Sequence, residues 1–436
     1  MFMPTVRAAL LAGVVVILSI MVVTIMPDYW MMPLWLMLLV LAVILFDGLR
    51  LARAGDVRVH MDGPAALFVG EAERAGILIN AQIPLHRVQL AVECPDDTVM
   101  LSWRNLPGDL PAGEHREDLD ILPVRRGIAH VPAIWIAWEG IWRLTRRSLR
   151  IPVGADVPVI PNIRAVRRAA IAFDARDSLF GSKPQLLQGD GSEFDALREY
   201  VPGLDHRSID WKQTARHRQL ICKEFRTERN HQIVMAVDNG RLMGETIDGI
   251  ARLDHAVTAA LQLGYIALRD GDRFGLQGFN ADLDAGMPPV GGPQGFTMVR
   301  KIAAEIGYST AETNFTLSLT RIAATLNRRS LIVVLTDFED VISAELMMEN
   351  IARLSRRHLV LFVTFSNSTL EALQNNTVTS LADMGRAIVA DTALRDRRIV
   401  LERLRRMGVD CIETTAGEFG TELLNSYMRL KRRDAI

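Results

Sequence analysis

Two uncharged apolar runs, residues 8–26 and 30–46, are separated only by Pro27, Asp28 and Tyr29. Each is close to the roughly 20 residues that cross a bilayer core as a helix. Soluble helices are seldom apolar all round, so two such runs with so short a link predict a transmembrane helical hairpin. Tyr29, Trp30 and Trp35 near the link suit an interfacial aromatic belt. A cleaved signal peptide is the competing reading. It is disfavoured because the second run follows at once and no small-residue cleavage site separates the two. Arg7 precedes the hairpin, Arg50, Arg53 and Arg58 follow it, and the link carries no basic residue. The positive-inside rule then places both ends, and everything after residue 57, in the cytoplasm.

The remaining chain is long enough for large cores. Its 436 residues are 49% hydrophobic, and the net charge of −1 gives no global field toward nucleic acid or acidic lipid. Cys94, Cys222 and Cys411 are scattered, without CxxC or histidine spacing, which argues against a disulfide framework or a structural zinc site and fits a reducing compartment. From 57 to 161 short apolar runs such as "AGILIN" and "VQLAVE" alternate with Pro, Gly, Asp and Asn, the pattern of a β-sandwich or barrel. Trp135, Trp138 and Trp142 fall there and read as core or edge packing. From 232 onward near-continuous Val/Ile/Leu strands alternate with helical periods, which predicts a mostly parallel sheet covered on both faces. The division read from the sequence is 1–55 anchor, 56–165 β-sandwich-like domain, 166–231 linker and charged segment, and 232–436 α/β domain.

In such sheets ligands sit at the carboxyl ends of the strands. Asp238 closes "IVMAVD", Asp337 closes "IVVLTD", and Thr313 lies in a loop before a helix. Two carboxylates and a hydroxyl form a hard oxygen set of the kind magnesium accepts. The plainer reading is that strand-end aspartates cap the next turn or helix.

The stretch 198–225, "REYVPGLDHRSIDWKQTARHRQLICKEF", holds six Lys/Arg, four Asp/Glu and two His around Trp211. It is too charged for a core strand and too balanced in sign for a nucleic-acid tail. Its end, "QLICKEF", has β character, so the charged part before it reads as a loop or arm. Arg198, Arg207, Lys212, Arg216 and Arg218 can pair with an acidic partner or with Glu199, Asp205 and Asp210 nearby. Arginine suits bidentate carboxylate pairing, and tryptophan is a common interface anchor. The alternative is a hydrolase-like acid–base set at Asp205, His206, Asp210 and His217. No HExxH, GxSxG or P-loop occurs in the chain, and no catalytic residue is assigned. The "RRMG" and "KRRDAI" runs near the end read as solvated helix faces.

Three pieces, "REYVPG" (198–203), "IDWK" (209–212) and "TAR" (214–216), closely resemble the signature of the bacterial domain-of-unknown-function 58 family. "IVMAVDNGRLM" (233–243), "ETNF" (312–315) and "IVVLTDFED" (332–340) resemble a von Willebrand factor A domain, the C-terminal module of that family. The resemblance implies a hairpin anchor in the bacterial inner membrane, a β-sandwich-like domain and a doubly wound von Willebrand factor A-like domain. It also implies a partner, a MoxR-type AAA+ ATPase, to which a non-enzymatic adaptor would present its A-type domain in envelope or complex maturation. The metal site of such domains reads D-x-S-x-S. Here Gly240 and Leu242 replace both serines, while Asp238, Thr313 and Asp337 match the remaining positions. The expectation is a bare or water-filled site with no cofactor, in which the two aspartates lie close together beside Thr313. Leu204 replaces an acidic residue of the signature. The interaction set is Arg198, Glu199, Arg207, Asp210, Trp211, Lys212 and Arg216. Asp210 is expected to pair with an arginine, and Trp211 to be at least half buried where the β-domain meets the A-type domain.

Overall fold

The structure, a computed structural model, describes residues 2–433 apart from 30, 95–98, 101–103, 107, 180–187, 202–205, 207–208, 218, 227–230, 339–340 and 376–379. It divides into two compact units, Met1–Asn162 and Ile163–Ile436.

The first unit opens with β1 (Phe2–Pro4), α1 (Val6–Ile25) and α2 (Met31–Leu49). Both helices are long and apolar enough to cross a membrane, and only 11% and 6% of their most apolar windows are buried. Water does not tolerate so much exposed apolar helix, and this is a membrane-associated chain. The strands that follow are β2 (Val57–Asp62), β3 (Leu67–Phe68), β4 (Glu73–Ala81), β5 (His86–Glu93), β6 (Val99–Met100), β7 (Arg104–Asn105), β8 (Gly113–Pro123), β9 (Gly127–Glu139) and β10 (Thr145–Ile160). One sheet runs β1-β10-β9-β5-β7 with β3 beside β10, and the other β2-β4-β8-β6. Ile77 and Ile79 of β4 share a core with Leu90 of β5 and with Ile134, Ile136 and Trp138 of β9. Two sheets closing on one core is the sandwich that the alternating pattern expects. Of the three clustered tryptophans, Trp138 is core, Trp135 donates to Glu93 Oε2 at 2.9 Å, and Trp142 stacks on Phe46.

The strand preceding the first apolar helix was not read from the sequence. Residues 2–4 pair antiparallel with Thr145, Arg146 and Arg147 of β10. Asp47, the first charge after the second apolar run, is buried near the end of α2. Its carboxylate accepts hydrogen bonds from the backbone N–H groups of Trp142, Leu144 and Thr145 and from the Thr145 hydroxyl, at 2.8 to 3.1 Å. A carboxylate at a helix C-terminus opposes the helix dipole, so these four donors are what hold it there.

The second unit contains α3 (Ile163–Leu179), β11 (Gln188–Glu199), α4 (Trp211–His217), β12 (Ile221–Arg226), β13 (Gln232–Asp238), β14 (Thr246–Ile247), β15 (Ile250–Ala251), α5 (Arg252–Arg269), β16 (Arg273–Phe279), β17 (Leu283–Val290), α6 (Pro293–Glu305), α7 (Phe315–Ala324), β18 (Leu331–Leu335), α8 (Val341–Ser355), β19 (Leu359–Phe365), α9 (Ser368–Asn375), α10 (Leu381–Arg406), β20 (Asp410–Thr414) and α11 (Phe419–Arg432). Its main sheet has the order β17-β16-β13-β18-β19-β20, parallel except for the antiparallel edge β17. Alternate residues of β13 serve opposite cores: Ile233, Met235 and Val237 pack with α5, α6 and α11, while Val234 and Ala236 pack with α7, α8 and α10. Helices therefore cover both faces. Val166 of α3, from the stretch read as a linker, belongs to the first of these cores. β17 was missed because it carries Pro288 and Pro289, which cannot donate to a ladder; an edge strand tolerates them.

Candidate functional site

The sheet order reverses between β13 and β18, since the chain adds β16 on one side of β13 and then β18 on the other. Open α/β sheets bind ligands at such a switch point. Asp238 ends β13, and Thr336 and Asp337 follow β18. The structure brings Thr313 to this point as well: its hydroxyl donates to Asp238 Oδ1 at 2.7 Å. The Gly240 N–H donates to the same oxygen at 2.9 Å, and the Thr336 hydroxyl donates to Oδ2. A Cβ built on Gly240 would lie 2.2 Å from Thr313 Oγ1, so the absent side chain at 240 is what lets Thr313 reach the aspartate.

Asp337 has a separate set of partners. Its Oδ1 accepts from the Phe338 N–H at 2.9 Å, the Thr364 hydroxyl at 3.0 Å and Arg397 Nη1 at 2.7 Å. Arg252 Nε lies 3.4 Å from Oδ2. The Arg397 guanidinium also donates to Glu413 Oε1 at 2.6 Å, to the Thr364 hydroxyl at 2.6 Å and to the Phe338 and Phe365 carbonyls. Burial opposes its charge, but the Asp337 and Glu413 carboxylates outweigh that and hold its pKa above the usual value. Every carboxylate oxygen of Asp238 and Asp337 thus has a proton donor or a guanidinium beside it. The guanidiniums of Arg397 and Arg252 already supply the counter-charge of Asp337 and oppose a divalent cation there. Among the described residues, no group of three or more His, Cys, Asp or Glu is placed to hold a metal.

Burial pushes the Asp238 carboxyl up to about 6, with nearby Asp337 adding to the rise and the Thr336, Gly240 and Thr313 donors working against it. The folded state therefore holds this proton more tightly than the unfolded chain, whose value is near 3.8. The stabilising proton is fully in place below the unfolded value and is lost as pH rises through about 6. Above that range the ionised carboxylate costs roughly 3 kcal/mol. Asp238→Asn, which imitates the protonated form, is expected to stabilise the chain by roughly 2–3 kcal/mol at about pH 7.5 and by much less at about pH 4.5. Urea unfolding of the detergent-solubilised chain at both pH values reads this. An equal effect at both, or a loss at the higher one, would contradict it.

The charged stretch is a compact piece of the second unit. β11 and β12 form an antiparallel hairpin in which Arg198 faces Cys222 and Glu199 faces Ile221. The charged part before β12, expected as a loop, includes the short helix α4. Asp210 caps it, accepting from the Lys212 N–H at 3.0 Å and the Gln213 N–H at 3.2 Å. Thr214 Oγ1 accepts from the Ile221 N–H at 3.0 Å, and Ile209 bridges Cys222, so the helix is fastened to β12 by hydrogen bonds. Trp211 has no part in that fastening. It is 69% exposed, which overturns the expectation of a half-buried tryptophan. Lys212 and Arg216 are exposed on the same helix. His206 is exposed, with its Nε2 3.4 Å from the Tyr200 hydroxyl. Gly203, Leu204, Asp205, Arg207 and Arg218 lie outside the described residues, as does the side chain of His217.

Sequence reasoning did not single out Arg397, Arg252, Thr336 or Thr364. Arg397 left a signal. With Ala390, Val400, Leu401 and Leu404 it makes up the buried set of α10, a charge on an otherwise apolar stripe.

The profile of the family described as protein of unknown function DUF58 matches residues 196–404. An uncharacterized protein of Mycobacterium bovis is 27% identical over 218 residues, 49% of this chain and 64% of that protein. The chain thus spans just under two thirds of that relative's length. Among solved structures, the conserved hypothetical protein BatB from Bacteroides thetaiotaomicron is 13% identical with a TM-score of 0.26, covering 41% of this chain and 98% of BatB. An aerotolerance-related membrane protein from Bacteroides fragilis is 13% identical with a TM-score of 0.27, covering 45% of this chain and 99% of that one.

Proposed function

We propose that the chain, whose residues 196–404 match the DUF58 family model, is a non-enzymatic adaptor, anchored in the bacterial inner membrane by α1 and α2, that presents a von Willebrand factor A-like domain to a cytoplasmic MoxR-type AAA+ ATPase. Arg7, Arg50, Arg53 and Arg58 support the cytoplasmic orientation. The A-type domain works without an ion, because Arg252 and Arg397 neutralise Asp337 from within. The observation that carries the docking role is Trp211, a large aromatic left in solvent at the start of a helix, with Lys212 and Arg216 exposed beside it. Exposed tryptophans flanked by cations are the residue types that anchor interfaces with acidic partners.

Trp211→Ala is expected to weaken binding of a MoxR-type ATPase from the same organism at least about tenfold, the range of an interface hot spot. Its unfolding free energy should move by no more than about 0.5 kcal/mol, as for other exposed positions. Arg216→Ala should follow the same pattern with a smaller loss. Titration of the solubilised chain with the purified ATPase, beside a thermal melt, measures both. Unchanged binding with a clear loss of stability would make the segment only structural. A hydrolytic activity abolished by His206→Ala would favour an enzyme instead.

A further inference from the structure

The turn joining β9 to β10 is tied to both membrane helices, where the chain enters α1 and where it leaves α2. Thr5, the N-cap of α1, donates its backbone N–H to the Leu144 carbonyl at 2.9 Å and its hydroxyl to the Arg143 carbonyl at 2.6 Å. Asp47, near the end of α2, takes the four donors of the same turn described above. A Cβ on Gly140 would lie 2.3 Å from Asp47 Oδ2, so the turn is seated against the Asp47 carboxylate as closely as a glycine permits. Its level relative to the two helix ends is therefore fixed.

At that level the turn leaves Ile141 57% and Trp142 50% exposed. The Trp142 ring stacks on Phe46 with centroids 5.5 Å apart, and Arg50 lies over the other partner's ring, 4.9 Å from the Phe46 centroid. Phe46 and Leu49 of α2 are themselves exposed, and so is Arg7 at the start of α1. An apolar pair continuous with the exposed surface of a membrane helix, an indole among them and the Arg50 guanidinium beside them, has the composition of the membrane–water interface. Arginine at that depth meets lipid phosphates, and a basic set favours anionic headgroups.

We propose that the β9–β10 turn is a third membrane contact, which seats Ile141 and Trp142 at the headgroup–acyl boundary of an anionic bilayer and fixes the β-domain at the membrane face. The proposal rests on the reading of α1 and α2 as membrane spans. It commits to lipid as the occupant, because the apolar pair continues a lipid-facing helix surface.

The full chain is reconstituted in vesicles of phosphatidylcholine and phosphatidylglycerol with brominated acyl chains, which quench nearby indoles. Tryptophan emission is compared between the wild type and Trp142→Phe. The difference spectrum, which isolates Trp142, is expected to lose most of its intensity in brominated lipid. A second variant, Ile141→Trp in the Trp142→Phe background, should restore a quenched component. Replacing phosphatidylglycerol by phosphatidylcholine should reduce the quenching. A difference spectrum that is red-shifted and unquenched, with no quenched component in the second variant, would overturn the proposal. Trp35 serves as the internal control, because it lies in α2. If the emission remaining in Trp142→Phe is also unquenched, the spanning helices fail together with the turn; if it is quenched, only the turn fails.

Discussion

Arg397→Met is expected to lower the unfolding free energy of the solubilised chain by about 3–5 kcal/mol, the usual cost of removing one partner from a buried ion pair. Arg397 is 7% exposed, and its guanidinium joins the end of β18, through Asp337, to Thr364 and Phe365 of β19 and Glu413 of β20. Methionine would keep most of the apolar volume beside Phe338, whose ring lies 4.8 Å from the guanidinium carbon. It would leave the Asp337 carboxylate with only the more distant Arg252 as counter-charge. The cost is therefore electrostatic, not a cavity. Adding Asp337→Asn should recover part of it, because the neutral amide removes the stranded charge. Urea unfolding of both variants measures this. A loss below about 1 kcal/mol, the range of exposed pairs, would show that the guanidinium is not what neutralises the strand-end aspartate.

The second large effect is expected in the other unit. Asp47→Ala would strand the Leu144 and Thr145 N–H groups and the Thr145 hydroxyl at buried positions and the Trp142 N–H at a partly buried one. Each unsatisfied buried donor costs about 1–3 kcal/mol, and entry of water limits the total to roughly 3–5 kcal/mol. Asp47→Asn keeps one acceptor and should lose about half as much. Because the lost bonds join α2 to the β9–β10 turn, proteolysis of reconstituted chain should open the first unit and leave the second intact. Uniform resistance of Asp47→Ala to protease would contradict this account of the carboxylate.

How much of this was legible depended on how local the signal was. The hairpin announces itself by length and lack of charge, and the parallel sheet by strands such as β18, whose five residues are all buried and apolar. Both follow from short-range pattern. Asp238, Asp337 and Thr313 could be named because they close strands or precede a helix. What surrounds them could not. Thr336 and Thr364 are ordinary strand formers by type, and only the fold makes them donors to a buried carboxylate. Arg397 lies in a stretch so rich in arginine that its place on the buried stripe is easily passed over. The sequence "IDWKQ" contains a legible cap, aspartate immediately before a helix, yet the density of charge suggested a loop. Trp211 was expected inside because aromatic area favours burial; Thr214 and backbone hydrogen bonds fasten its helix without it.

The measurement closest to the central proposal is crosslinking in intact membranes with an amine-reactive reagent, followed by mapping of the joined peptides. The account predicts that a MoxR-type AAA+ ATPase is captured, that its crosslinks fall on Lys212 of α4, and that Trp211→Ala removes them while the chain stays folded. Capture with crosslinks confined to other lysines such as Lys301, or no ATPase in any crosslinked species, would contradict it.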